Sequence, residues 1–177
     1  MMTPMQLIVG QWLLSLKHYL LMCLLLSGPD RLPYNPYPIL LTGLCYFVIG
    51  LLLVDPERSY LTVCVQILIE LAMLGLIAWW GLSRNQAQSR FLQTFSALLG
   101  VNVIITAVTI PVYHAVIDNA EVSNNLLLTV TIVILAWNLA VLSQIFKRAF
   151  EISTLRSSVL SFSYFIAYQT IVYWVTA

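Results

Sequence analysis

Residues 60–82 read YLTVCVQILIELAMLGLIAWWGL, and this stretch decides the fold. As a helix rising about 1.5 Å per residue it is long enough to cross a hydrocarbon core of about 30 Å. Glu70 is its one ionisable side chain with a full charge at neutral pH, and it sits near the middle. Four further stretches qualify in the same way: 37–54, 91–114, 126–146 and 157–176. The links between them, DPERS (55–59), SRNQAQSR (83–90), AVIDNAEVSNN (115–125) and KRAFEISTLR (147–156), are short and turn-like. They predict antiparallel sequential neighbours and leave no room for an extramembrane domain.

Composition points the same way. The chain has 177 residues, 60% of them hydrophobic and 8% charged, with a mean hydropathy of +0.91. Soluble domains carry roughly 25% charged residues. A chain this short buries only about 70% of its unfolded surface, so the surplus apolar area must face lipid. The expected class is an all-α membrane protein, a five-transmembrane-helix bundle (37–177) preceded by an amphipathic in-plane helix and a proline-rich lead (1–36). The net charge of +1 gives no reason to expect nucleic acid.

Basic residues orient the bundle. With the flanks alternating from the N-terminus, one side collects Lys17, Arg31, Arg84, Arg90, Lys147, Arg148 and Arg156, and the other has only Arg58. The positive-inside rule then predicts a cytoplasmic N-terminus and an outer C-terminus. The outer loop DNAEVSNN lacks Lys and Arg, and Tyr34, Tyr37, Trp79, Trp80, Tyr113, Tyr173 and Trp174 fall near span ends, where aromatic belts form. The basic cluster can also attract anionic headgroups, at about 1 kcal/mol per residue. The bilayer is thus the first expected partner, with other membrane subunits or a second copy next.

The segment MQLIVGQWLLSLKHYLLMCLLLSGPDRLP (5–33) is interrupted by Lys17 and His18. Gln6, Gly10, Gln11, Ser15, Lys17 and His18 share one half of a helical wheel, and Met5, Val9, Trp12, Leu13, Leu16 and Tyr19 the other. That division predicts a helix lying in the membrane interface. Gly28-Pro29 ends the apolar continuation, and GPDRLPYNPYP reads as an extended lead. No basic n-region or small-x-small cleavage site marks a removable signal peptide.

RFLQTFSALLGVNVI (90–104), LAWNLAVLSQIFKRAFEIS (135–153) and SSVLSFSYFIAYQTIVYW (157–174) carry a resemblance to the Yip family of integral membrane proteins, in its small bacterial form. The resemblance implies a cytoplasmic N-terminal region, five clustered spans, a bacterial inner membrane and a role in membrane organisation. The Asp-Leu-Tyr-Gly-Pro signature of eukaryotic members is missing, so their binding of small trafficking GTPases is not carried over.

Glu70 is the main candidate for chemistry. A carboxylate at the bilayer centre costs at least about 2.5 kcal/mol, so it should be neutral, paired, or facing protein or water. No Lys or Arg lies at its depth. Glu70 is the eleventh residue of its span, Asn102 the twelfth, and Asn138 and Gln169 each the thirteenth. These four should form a midplane polar layer. One reading is a clasp between helices, worth about 0.6 kcal/mol on average and up to roughly 2; the other is a polar path for transport.

Ala136, Ala140 and Ser143 form a small-residue stripe suited to close helix packing. Pro111 removes a backbone donor and should kink the third span, with Thr106 or Thr109 near the freed carbonyls. Cys23, Cys45 and Cys64 lack a metal or redox spacing and read as small buried hydrophobes. His18 and His114 should lie nearly a bilayer apart, too far for bis-histidine haem. No metal, cofactor or catalytic constellation is expected. The function predicted is a non-enzymatic scaffold, membrane organiser or accessory subunit; a small transporter or channel component built around Glu70 is the alternative.

Overall fold

The computed structural model describes residues 4–34, 36–52, 59–117 and 124–176. They form six helices: α1 (Pro4–Cys23), α2 (Pro36–Leu52), α3 (Tyr60–Arg84), α4 (Phe91–Ile117), α5 (Asn124–Phe150) and α6 (Thr154–Thr176). Two single 3₁₀ turns, Pro29–Arg31 and Gln88–Arg90, complete the described elements, and no strand occurs among them. Arg58 and most of the loop DNAEVSNN lie outside the described residues.

Among the described residues, three stretches are long and apolar enough to cross a membrane: Tyr60–Arg84, Gln88–Val112 and Asn125–Phe150. α2 is apolar but shorter, 17 residues. α6 has the length, but serines 157, 158, 161 and 163 with Gln169 and Thr170 dilute its apolar character.

Local chemistry sets the helix ends. Proline in the first turn is tolerated because those N–H groups lack helical partners. This is why α2 starts at Pro36, inside the stretch expected to be extended. The Ser59 hydroxyl caps α3 by accepting from the Leu61 N–H at 3.3 Å. Three chain reversals use a left-handed residue that is not glycine: Leu25 (φ 62°), Gln86 (φ 53°) and Glu151 (φ 54°). In each, the next N–H reaches back five residues, as in Leu26 to Leu21 O at 2.8 Å and Ala87 to Leu82 O at 2.9 Å. That bond is the signature of a Schellman termination.

α4 is the central helix, with α1, α2, α3 and α5 packed on it, while α6 packs on α5 and α3. The main core gathers at one end of the bundle. Leu74, Ala78 and Leu82 of α3 meet Leu98 and Val101 of α4 and Val141, Ile145 and Phe146 of α5, all buried. Gly81 allows this approach, since a Cβ there would overlap the Phe150 ring. A small second cluster, Tyr46 with Val63 and Ile67, joins α2 to α3.

The reversals at this end are tied to one another. The Asn85 amide donates to the Phe150 carbonyl, Arg90 pairs with Glu151 at 2.9 Å, and Gln93 donates to the Leu32 carbonyl at 2.8 Å. Arg31, Arg84, Arg90, Lys147, Arg148 and Arg156 are exposed here, as is Lys17 on α1. Arg84 also stacks over the Trp80 ring, 4.9 Å from its centre.

α1 departs from the amphipathic expectation. Its buried stripe is Ser15, Tyr19 and Met22, while Leu13, Leu14 and Leu20 are exposed. The expected polar half therefore contributes Ser15 to the protein contact, because α1 packs on α4 instead of lying apolar side down on lipid. The Tyr19 ring sits where a Gly100 side chain would be, and its hydroxyl shares a 2.6 Å hydrogen bond with Ser96.

The end of α1 lies inside the bundle. The Trp137 indole N–H donates to the Cys23 carbonyl at 2.8 Å. Trp137 is ten residues before Lys147, about 15 Å inward along α5. The chain then returns toward the basic end, where Gly28 lies against Arg148. The last four carbonyls of a helix lack helical partners. In α1 all four are met: Leu24, Leu25 and Leu26 N–H groups serve Leu20, Met22 and Leu21, and Trp137 serves Cys23. These bonds pair the backbone of the reversal, while the side chains of Leu24, Leu25 and Leu26 point out of the bundle and are exposed.

Candidate functional site

Away from the packed end, α4, α5 and α6 separate around a cavity of about 380 Å³. Its wall on α5 runs from Leu127 through Ile134 and Asn138 to Leu142, one face of the helix at three- and four-residue spacing. α4 contributes Asn102, Thr109 and Val112, α6 contributes Tyr164, Phe165 and Tyr168, and Glu70 reaches it from α3. Volumes of about 300–1,000 Å³ are typical of small-molecule sites.

The two ends of the cavity differ chemically. Thr109 and Thr131 line the outer part, but each hydroxyl donates to its own helix, to Ile105 O at 2.7 Å and Leu127 O at 2.9 Å. They therefore present mostly methyl groups among Val112, Leu127 and Val130. The inner part holds Glu70, Asn102, Asn138, Tyr164 and Tyr168. The site is apolar along most of its length and polar at one end.

Glu70 does not bond the amides expected to satisfy it. The Tyr168 hydroxyl donates to its Oε2 at 3.4 Å, a long contact, and Tyr46 of α2 also hydrogen-bonds the carboxyl. Among the described residues no hydrogen bond joins Glu70 to Asn102 or Asn138; these amides share its cavity instead. Gln169 is exposed and does not line the cavity. One residue turns a helix by about 100°, so Tyr168 facing Glu70 carries Gln169 to the outer surface. Of the four residues expected at one level, Glu70, Asn102 and Asn138 line one cavity, together with Tyr164 and Tyr168.

Tyr164 is the informative member. Its side chain is 8% exposed and lines the cavity, its ring stacks near that of Tyr168 with centres 6.5 Å apart, and its hydroxyl has no hydrogen-bond partner. Buried hydroxyls are nearly always bonded, because leaving one unmade costs about 1–3 kcal/mol. Tyr46, Tyr164 and Tyr168 were detectable from sequence: they sit within spans, away from the belts, and Tyr164 and Tyr168 are four apart.

The small-residue stripe is divided. Ser143 is buried and shares hydrogen bonds with Ser157 (3.0 Å) and Ser158 (3.1 Å) of α6, whereas Ala136 and Ala140 are exposed. Ala140 and Ser143 border a second groove, between α5 and α6, that also contains Leu25, Lys147, Ser158 and Phe162. α4 runs on through Pro111 to Ile117, and Thr109 bonds Ile105 instead of the carbonyl four residues before the proline. No group of three or more metal-binding side chains occurs among the described residues. No protein-family model, curated protein or solved structure matches the chain.

Proposed function

We propose that the chain is a non-enzymatic, multi-pass protein of a bacterial inner membrane, with five spans and its basic end in the cytoplasm. Its working part is the intramembrane cavity, which holds a small amphiphilic molecule as a carrier or small transporter component. The observation that carries this reading is the Tyr164 hydroxyl, buried and unpartnered at the polar end of a 380 Å³ cavity. The charge asymmetry and the resemblance to the Yip family support the placement in the membrane.

Native mass spectrometry of the protein from gentle detergent tests the reading. An adduct of a few hundred daltons is expected, and Val130→Trp, which fills the apolar part of the cavity, should remove it while leaving the helical fold intact. Failure to find an adduct in the unmodified protein, with or without added amphiphiles, would reject the reading.

A second reading, a scaffold or accessory subunit, is favoured by the groove between α5 and α6. Its exposed Ala140 and Phe162 border a cavity of about 610 Å³ suited to a partner's helix. A gentle-detergent pull-down that loses its partner on Ala140→Trp, with the cavity adduct retained, would select it.

A further inference from the structure

We infer that the cavity selects a lipophilic ammonium ion: a protonated amine at the polar end and a single hydrocarbon chain along α5. This rests on the cavity being a ligand site and names what enters it. The polar end can present a set of acceptors, with Glu70 the one group that, ionised, only accepts. Glu70 offers carboxylate oxygens, Asn102 and Asn138 offer amide carbonyls, and the unpartnered Tyr164 hydroxyl offers a lone pair. An ammonium group brings three donors and no acceptor, and so complements this set. The faces of Tyr164 and Tyr168 add attraction for a cation.

Charge excludes the opposite class. The groups facing Glu70 are Tyr46 from α2, Tyr168 and Tyr164 from α6, and the two amides from α4 and α5. Among the described residues, no Lys, Arg or His lines the cavity. An anionic head would therefore meet a carboxyl with no compensating cation. A lone acid at this depth has two inexpensive states, protonated or paired with a cation. Binding exchanges one for the other: the carboxyl gives up a proton, which leaves, and the ammonium takes its place with its own protons retained. No covalent bond other than that O–H is broken.

Size limits the chain. At about 30 Å³ for each water-sized group, the cavity holds roughly a dozen. That suits one chain, and decylammonium is a fitting probe.

The test is calorimetric titration of the full chain in phosphatidylcholine nanodiscs, with empty discs as reference. The probes are decylammonium, decanol and decanoate. Decylammonium should bind at least tenfold more tightly than either of the others. Its affinity should rise with pH until the carboxyl is fully ionised, and at the low-pH end buffers of different ionisation enthalpy should report about one proton released per ligand. Glu70→Gln should abolish that release and weaken binding at least tenfold. Tyr164→Phe, which leaves the charge in place, should weaken binding several-fold and keep the release. Decanol or decanoate binding as tightly as decylammonium overturns the inference but leaves the cavity as a ligand site. Failure of all three probes to bind overturns both. Should Glu70→Gln not fold, the probe comparison and Tyr164→Phe still decide.

Discussion

Replacing Trp137 by Phe isolates one hydrogen bond that fixes α1 inside the bundle. The aromatic bulk is nearly kept, and only the 2.8 Å bond from the indole to the Cys23 carbonyl is lost. The neighbouring carbonyls of α1 keep their partners from Leu24, Leu25 and Leu26, so Cys23 O alone is orphaned. An unpaired buried carbonyl costs about 1–3 kcal/mol. For a chain of this size that lowers the melting temperature by about 2–12 °C. Cys23 provides a local readout. It is 3% exposed, and burial pushes its thiol up to about 11, so the closed state offers almost no reactive thiolate at neutral pH. In a Cys45→Ser, Cys64→Ser background, labelling of Cys23 should quicken about 5- to 150-fold, the same free energy read as local opening. Unchanged labelling and melting would refute the claim that the indole secures α1. A lower melting temperature with unchanged labelling would show that Trp137 stabilises α5 alone.

Gly100→Ala places a methyl group in the Tyr19 ring and should break the Tyr19–Ser96 contact, at about 1–3 kcal/mol. Combined with Tyr19→Leu its cost should be less than additive in detergent unfolding; strict additivity would mean the two do not touch. Gln86→Gly removes a non-glycine from the left-handed region and should stabilise by about 1 kcal/mol. Glu151→Gly gains as much but gives up the exposed ion pair to Arg90, worth about 0–1 kcal/mol, so its net effect in the same assay should be smaller.

Sequence patterning exposed the long helices because period and length act locally. The stretch 60–82 needed only its apolar run and Ser59 to become α3. Depth counting brought Glu70, Asn102 and Asn138 to one cavity because rise per residue is nearly constant along a helix. It failed for Gln169 because depth leaves the azimuth open, and the packing of α6 on α5 and α3 turns Tyr168 inward. The wheel of α1 misled for a related reason. It ranks faces by polarity, but α1 was positioned by the socket at Gly100 and the donor at Trp137, both far away in the chain. Tyr46, Tyr164 and Tyr168 were overlooked because tyrosine was assigned to the interfaces.

The main core lies at one end of the bundle, and that gives α5 a fulcrum. Phe146 and Phe150 stack with ring centres 5.4 Å apart beside Gly81, and this end resists bending. From Leu142, where the core stops, to Leu127 at the far rim of the cavity, α5 extends about 22 Å. A tilt of about 10° at the fulcrum therefore swings the rim by about 4 Å, enough to open or shut a passage one hydrocarbon chain wide, while the basic end barely moves. Leverage of this kind lets the packed half move the open one without any helix unwinding.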